Sequence, residues 1–331
     1  MKKIAGLLAF SLIVALFAVN ALAADVTISV GFENSTQDEL YKAITRWAEL
    51  VDQKSGGTMA LELYPNSQLG SKNDLIDSMQ LGESVITIAD GAFLAEYGAP
   101  DLGILYGPYL FTDWDQMWKL VESDWFKDQN KLLEANGLSI VSANWKLGER
   151  NLFLVQPVKG ADDLKGRKIR VPNNQVQIEE TNAIGASATP MSAADVYQAL
   201  QTGTIDGLEN VNSALISMKW GEVAKYVYEE EHVYNQAIWV AGTMMLDSLT
   251  EEQRTWLLEA ANEAGLYNNE LQDAAAVAIR ETLEKDFGTT FIPCSEEDKA
   301  KLIKMCESFY ANSAAFGWTD GLYETIQNII K

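Results

Sequence analysis

Histidine is almost missing from this chain: His232 is the only one in 331 residues. A single imidazole excludes the His-rich zinc motifs and leaves one candidate for a His-based catalytic triad. Cysteine is nearly as scarce, with Cys294 and Cys306 alone and no C-x-x-C run. The runs G-x-S-x-G, G-x-x-x-x-G-K-[ST] and G-x-G-x-x-G are also missing, which removes the usual signatures of acyl transfer, phosphate cradling and dinucleotide binding. Paired carboxylates leave no spacing signature, so they stay open as catalysts. His232, set among Glu229 to Glu231, reads as a structural or hydrogen-bonded residue, and neither metal nor cofactor is expected. Basic side chains are few as well, 25 against 47 acidic ones. Such a surface repels nucleic acid and anionic lipid, and an anionic ligand must be drawn in by a local basic focus.

Only one long apolar run exists, from Ile4 to Val19, preceded by Lys2 and Lys3 and followed by Ala21-Leu22-Ala23. That is the layout of a secretory signal peptide over residues 1–23, cut before Ala24. A retained anchor is the rival reading, disfavoured by the small-residue site and by the lack of a flanking charge cluster. Removing Lys2 and Lys3 leaves 23 basic and 47 acidic residues, a formal charge of −24. No later segment reaches the roughly 18 apolar residues of a membrane span. The expectation is an exported, periplasmic chain without stable membrane insertion. Its 308 residues exceed what one compact core usually holds, so two interleaved lobes are expected.

Val26, Ile28, Val30 and Phe32 alternate as in a half-buried strand. Thr36 and Glu39 then predict a capping box for a helix with Leu40, Ile44, Trp47 and Val51 on one stripe, closed by Gly56-Gly57. Strands follow at Met59–Leu63 and Val85–Ala89, with a helix over 73–81 between them. This alternation predicts a parallel α/β sheet. It recurs with a strand over Lys168–Val171, a helix capped by Ser192 with Asp195 and ended at Gly203, and a strand from Ile205. Residues 250–286 hold no proline and one interior glycine, Gly265. They predict one continuous, bent helix rather than two. Ser295 followed by three acids starts a further helix, which separates Cys294 from Cys306 by roughly 16 Å. A disulfide needs about 7 Å between Cα atoms, so two free, buried thiols are expected.

Arg150, Arg170 and Asn210 stand in the runs GERN, GRKIRVP and DGLEN. A guanidinium offers planar paired donors that match a carboxylate. A surface charge or structural ion pair is the plainer account of any single arginine, and Trp145 and Trp239 are by default core packing.

Taken together, YPNSQLG (64–70), DLKGRKIRVP (163–172), ATPMSAADVYQALQTGTIDGLEN (188–210) and EVAKYV (222–227) with His232 closely resemble the solute-binding proteins of tripartite ATP-independent periplasmic (TRAP) transporters, the C4-dicarboxylate and sialic-acid binding group. The resemblance implies a two-lobed α/β periplasmic binding protein, type II-like, with hinge strands and a long helix spanning both lobes. Lobe I is expected over 24–147 plus about 236–275, and lobe II over 148–235 plus about 276–331. It implies further that Arg170 clamps a ligand carboxylate with Arg150 and Asn210 beside it. Glu33, Lys72, Asp90, Phe93, Asn173, Ala193 and Trp239 follow as pocket candidates. The implied partners are a small carboxylate and the small and large membrane subunits of a permease, and a monomer is expected.

Against the sialic-acid pattern, Glu33 replaces an Asn, Lys72 an acid, Phe93 an Arg and Ala193 a Phe. These departures argue against sialic acid, while Glu33 and Asp90, as acceptors for hydroxyls, suggest a hydroxylated or sugar-derived acid. Lys72 is open to a second carboxylate or to solvent, and Phe93 with Trp239 leaves an aromatic acid open. The expected function is periplasmic capture of an organic acid for secondary transport, without catalysis. The alternatives are a binding subunit of another transporter or sensor, or a periplasmic enzyme on this scaffold.

Overall fold

The computed structural model describes residues 24–331; the expected leader lies outside the described residues. Nine strands form one sheet: β1 (Val26–Gly31), β2 (Met59–Tyr64), β3 (Val85–Ala89), β4 (Leu138–Leu154), β5 (Lys168–Val171), β6 (Ser187–Pro190), β7 (Gly207–Val211), β8 (Tyr226–Gly242) and β9 (Thr290–Pro293). Their order is β2-β1-β3-β8-β4-β7-β5-β6, with β9 also on β8. The sheet is mixed, and the two segments whose alternation predicts parallel pairing are its parallel parts. Two parallel β-α-β units, β1–β3 and β5–β7, are joined through antiparallel β4 and β8.

β4 and β8 have 17 residues each, roughly 56 Å of extended chain at 3.3 Å per residue, so both run through the two halves. The first part of β4 pairs with the segment of β8 that also pairs with β3, and its last part pairs with β7. Register shifts between Lys146 and Gly148 and between Arg150 and Leu152 interrupt their ladder at the crossing. Such bulges bend strands and re-aim side chains.

Helix Glu39–Ser55 buries Leu40, Ile44, Trp47 and Val51 as expected. Its cap is Asp38 rather than Thr36: the Asp38 carboxylate accepts from Leu40 N at 3.0 Å and from Asn34 Nδ2 at 2.8 Å. At the second predicted cap, Ser192 donates to the Asp195 carboxylate at 2.6 Å and caps no backbone amide; the regular helix begins at Val196. The long helix is continuous from Glu251 to Asp286, with Thr250 and Gln253 forming a capping box. Leu257, Ala260, Ala261 and Ala264 join the first-half core around Ile28 and Trp47, and Leu283 joins the second-half core around Phe153 and Leu208. Gly265 is a contact point instead of a break: a Cβ there would lie 2.2 Å from Asn144 Oδ1.

Cys294 and Cys306 are free, but only Cys306 is fully buried. Cys294 is half-buried against the Tyr228 hydroxyl at 3.2 Å. Helix Leu322–Ile330, expected with the second lobe, packs on helix Trp114–Glu122, with Leu322 and Ile326 in one core with Met117 and Leu120. Among the described residues no helix is long and apolar enough to cross a membrane.

Candidate functional site

The C-terminal ends of strands from both halves converge on one cleft. In open α/β sheets these ends, with their loops and helix starts, are where ligands bind. Glu33 follows β1, Asp90 follows β3, Arg170 lies near the end of β5 and Asn210 near the end of β7. Arg150 comes from β4, opposite Val211 of β7 and Val233 of β8. The cleft takes in about 690 Å³ of space between protein atoms, its open mouth included. Glu33, Lys72, Asp90, Phe93, Arg150, Arg170, Ala193 and Asn210 all line it. Asn173 lies in an adjoining recess that also borders Arg170 and Lys72. Trp239 is not in the lining: it is buried in a core trio, 5.3 Å from both Trp47 and Trp145.

The two arginines differ sharply. Arg150 uses all five donors internally. Its Nε bonds Glu209 Oε2, Nη2 donates to Glu209 Oε1 at 2.7 Å and to Glu209 O at 3.0 Å, and Nη1 donates to Asn235 at 2.8 Å and Asn210 at 3.3 Å. Burial pushes the Glu209 carboxyl up, but Arg150 outweighs it and holds the group at about 2. Arg170 is 3% exposed. It donates Nε and Nη2 to Met191 O at 3.0 and 2.7 Å, and among the described residues no ion pair is formed by it. Burial therefore depresses it to about 10. Arg170 is thus a buried cation with Nη1 uncommitted on the cleft wall.

On the facing wall, Lys72 Nζ lies 3.6 Å from Glu33 and 4.3 Å from the centre of the Phe93 ring. Asp90 accepts from Phe93 N at 3.1 Å. Burial raises its pKa, opposed by Lys72 and Arg150. Behind the cleft, His232 Nδ1 lies 2.8 Å from Glu230, and Nε2 lies 3.6 and 3.7 Å from Glu209 and Glu180. Burial alone would lower the His232 pKa, but Glu230 and Glu180 hold it well above its usual value. Burial pushes Glu180 up to about 7. His232 is accordingly a structural cation buried among carboxylates.

Sequence reasoning missed Glu209 and Asn235, which fix Arg150, and Trp220 and Met218, which line the cleft. Glu209 carried a signal, an acid inside the strand-forming run IDGLEN.

Residues 30–315 match the model of the bacterial extracellular solute-binding proteins, family 7. The chain belongs to that family. It is 31% identical over 290 residues, 88% of each chain, to a solute-binding protein of Roseobacter denitrificans. Among solved structures it is similar to a TRAP periplasmic solute-binding protein from Ochrobacterium anthropi with bound L-fuconate, at 37% identity and a TM-score of 0.88, covering 93% of this chain and 100% of that one. It is also similar to one from Actinobacillus succinogenes with bound L-galactonate, at 33% identity and a TM-score of 0.84, covering 92% and 99%. This family of TRAP solute-binding proteins carries small molecules, and the two-lobed α/β architecture is theirs.

Proposed function

We propose that this chain captures a hydroxylated, sugar-derived organic acid in the periplasm and delivers it to the small and large membrane subunits of a TRAP permease. Arg170 carries this conclusion. A buried guanidinium without a protein carboxylate is costly unless an anion completes it, and the cleft gives a ligand carboxylate access to it. Arg150 acts as a fixed positive charge behind that carboxylate, since its donors are already committed to Glu209, Asn235 and Asn210. Asn210, beside it, would contribute its amide, and Asn173 would meet only a ligand that reaches the adjoining recess. On the other wall Glu33 and Asp90 are acceptors that ask for hydroxyl donors, which a sugar acid has and a plain aliphatic acid lacks. The relatives with bound L-fuconate and L-galactonate favour the same ligand class.

The lobes in this proposal meet where β4 and β8 pass between the half-sheets, near Lys146–Gly148 and Asn235–Gln236. Helix Leu322–Ile330 moves with the first lobe, on which it packs. A thermal-shift screen of acids, backed by mass spectrometry of any acid that co-purifies, tests the function. Sugar acids should raise Tm more than unsubstituted acids of equal length. Dominance of succinate-like acids, or of ligands with no carboxylate, would sink it.

A further inference from the structure

Three cationic groups border the cleft, and two already have protein partners. Arg150 is paired with Glu209. Lys72, the only lysine in the cleft lining among the described residues, is paired with Glu33 at 3.6 Å. Among the described residues, Arg170 is therefore the one cation of the three without an ion-pair partner.

Lys72 is also held in place. It opens helix Lys72–Gln80, its side chain is only 13% exposed, and its ammonium sits over the Phe93 ring at 4.3 Å. The contact with the ring and the ion pair both lower the cost of keeping it out of water. A second ligand carboxylate approaching Lys72 would meet Glu33 on the same ammonium, with the carboxyl of Asp90 on the same wall. Like charges so close, in a partly desolvated cleft, repel strongly. A hydroxyl there would instead donate to Glu33 or Asp90.

We propose that the Lys72–Glu33 ion pair is a charge filter, which confines the cleft to singly charged polyhydroxy acids and rejects the corresponding diacids. This rests on the sugar-acid reading and adds the residue pair that sets ligand charge. A single substitution should then invert the preference. Glu33→Gln frees the Lys72 ammonium for a second carboxylate, whereas Lys72→Gln leaves Glu33 unpaired and makes the wall more hostile to one.

The test is calorimetry with a six-carbon aldonate and the aldarate of the same stereochemistry, on the wild-type chain and both variants. The wild-type protein should prefer the aldonate. Glu33→Gln should move the affinity ratio at least 10-fold toward the aldarate, and Lys72→Gln should move it further toward the aldonate. Opposite shifts are required, so either variant alone still tests the filter if the other does not fold. An unchanged ratio, shifts of the same sign, or a wild-type preference for the aldarate would overturn the filter while leaving sugar-acid capture intact. Failure of the wild-type protein to bind either acid would instead strike at the proposed function.

Discussion

Arg150 and Glu209 form a buried ion pair on neighbouring strands, and that pair leaves Arg170, twenty residues further on, as the cation still to be satisfied. The two arginines are thus distinct in role although they share a cleft. One is a fixed element of the scaffold, and the other depends on what enters.

Arg170→Lys should separate charge from geometry. The lysine keeps a positive charge but loses the planar fork, so binding should weaken by roughly 2–5 kcal/mol if the contact is desolvated. Arg170→Met should abolish binding while leaving the ligand-free Tm unchanged or higher, because an uncompensated buried charge is removed. Calorimetry and thermal melts on the same preparations check both. A binding-competent Arg170→Met protein would take the clamp away from Arg170.

Glu209→Gln should behave in the opposite way. It strands the Arg150 charge, and breaking such a pair costs about 3–5 kcal/mol of stability. The wild-type pair also has a pH signature. The Glu209 carboxyl titrates at about 2 in the folded protein against roughly 4.3 unfolded. Its contribution is present above the unfolded value and is lost as pH falls toward 2. Melting temperature should therefore drop more steeply below pH 4 in the wild-type protein than in Glu209→Gln. Parallel curves would mean that Glu209 is not the acid-sensitive group.

Glu180 works on the other side of neutrality. Burial raises it to about 7, above its unfolded value, so its protonated form stabilises the fold at low pH. That stability is lost as pH rises toward 7. Glu180→Gln should flatten the decline in Tm between pH 5 and 8. An unaltered slope there would exclude Glu180 as its source.

Much of the α/β pattern was legible because amphipathic periodicity reports which face meets a core. Leu40, Ile44, Trp47 and Val51 announced their helix, and Val26 to Phe32 their strand. β4 and β8 were hidden by their own chemistry. Asn144, Lys146, Glu149 and Arg150 interrupt one, and Glu229 to Glu231 interrupt the other, because these strands bring polar groups to the cleft and to the network behind it. Local alternation cannot describe a strand that serves two half-sheets. Trp239 is a related case: a residue type that suits a pocket wall also suits a core, and its packing on Trp47 and Trp145 puts it in the core.

Gly265 sets helix propensity against packing. Alanine is favoured over glycine by about 1 kcal/mol inside a helix. Here the added Cβ would sit 2.2 Å from Asn144 Oδ1 and 2.7 Å from Trp145 Cδ1, an overpacking worth about 1–3 kcal/mol. Packing should win, and Gly265→Ala should lower Tm. A higher Tm would mean that Asn144 and Trp145 yield without cost.

Closure on the ligand is the remaining expectation, and the crossing strands locate it. Register shifts interrupt the β4–β8 ladder beside Gly148, which adopts φ 131°, a conformation side chains rarely tolerate. The ligand would draw Arg170 on one half and Glu33 with Asp90 on the other toward one small molecule. A rotation about those strands would do this. Solution scattering should show a smaller radius of gyration when a bound sugar acid saturates the wild-type protein. No change is expected in Arg170→Met at the same concentration. Superimposable wild-type profiles with and without a tightly bound acid would rule out hinge closure and leave a preformed, static cleft.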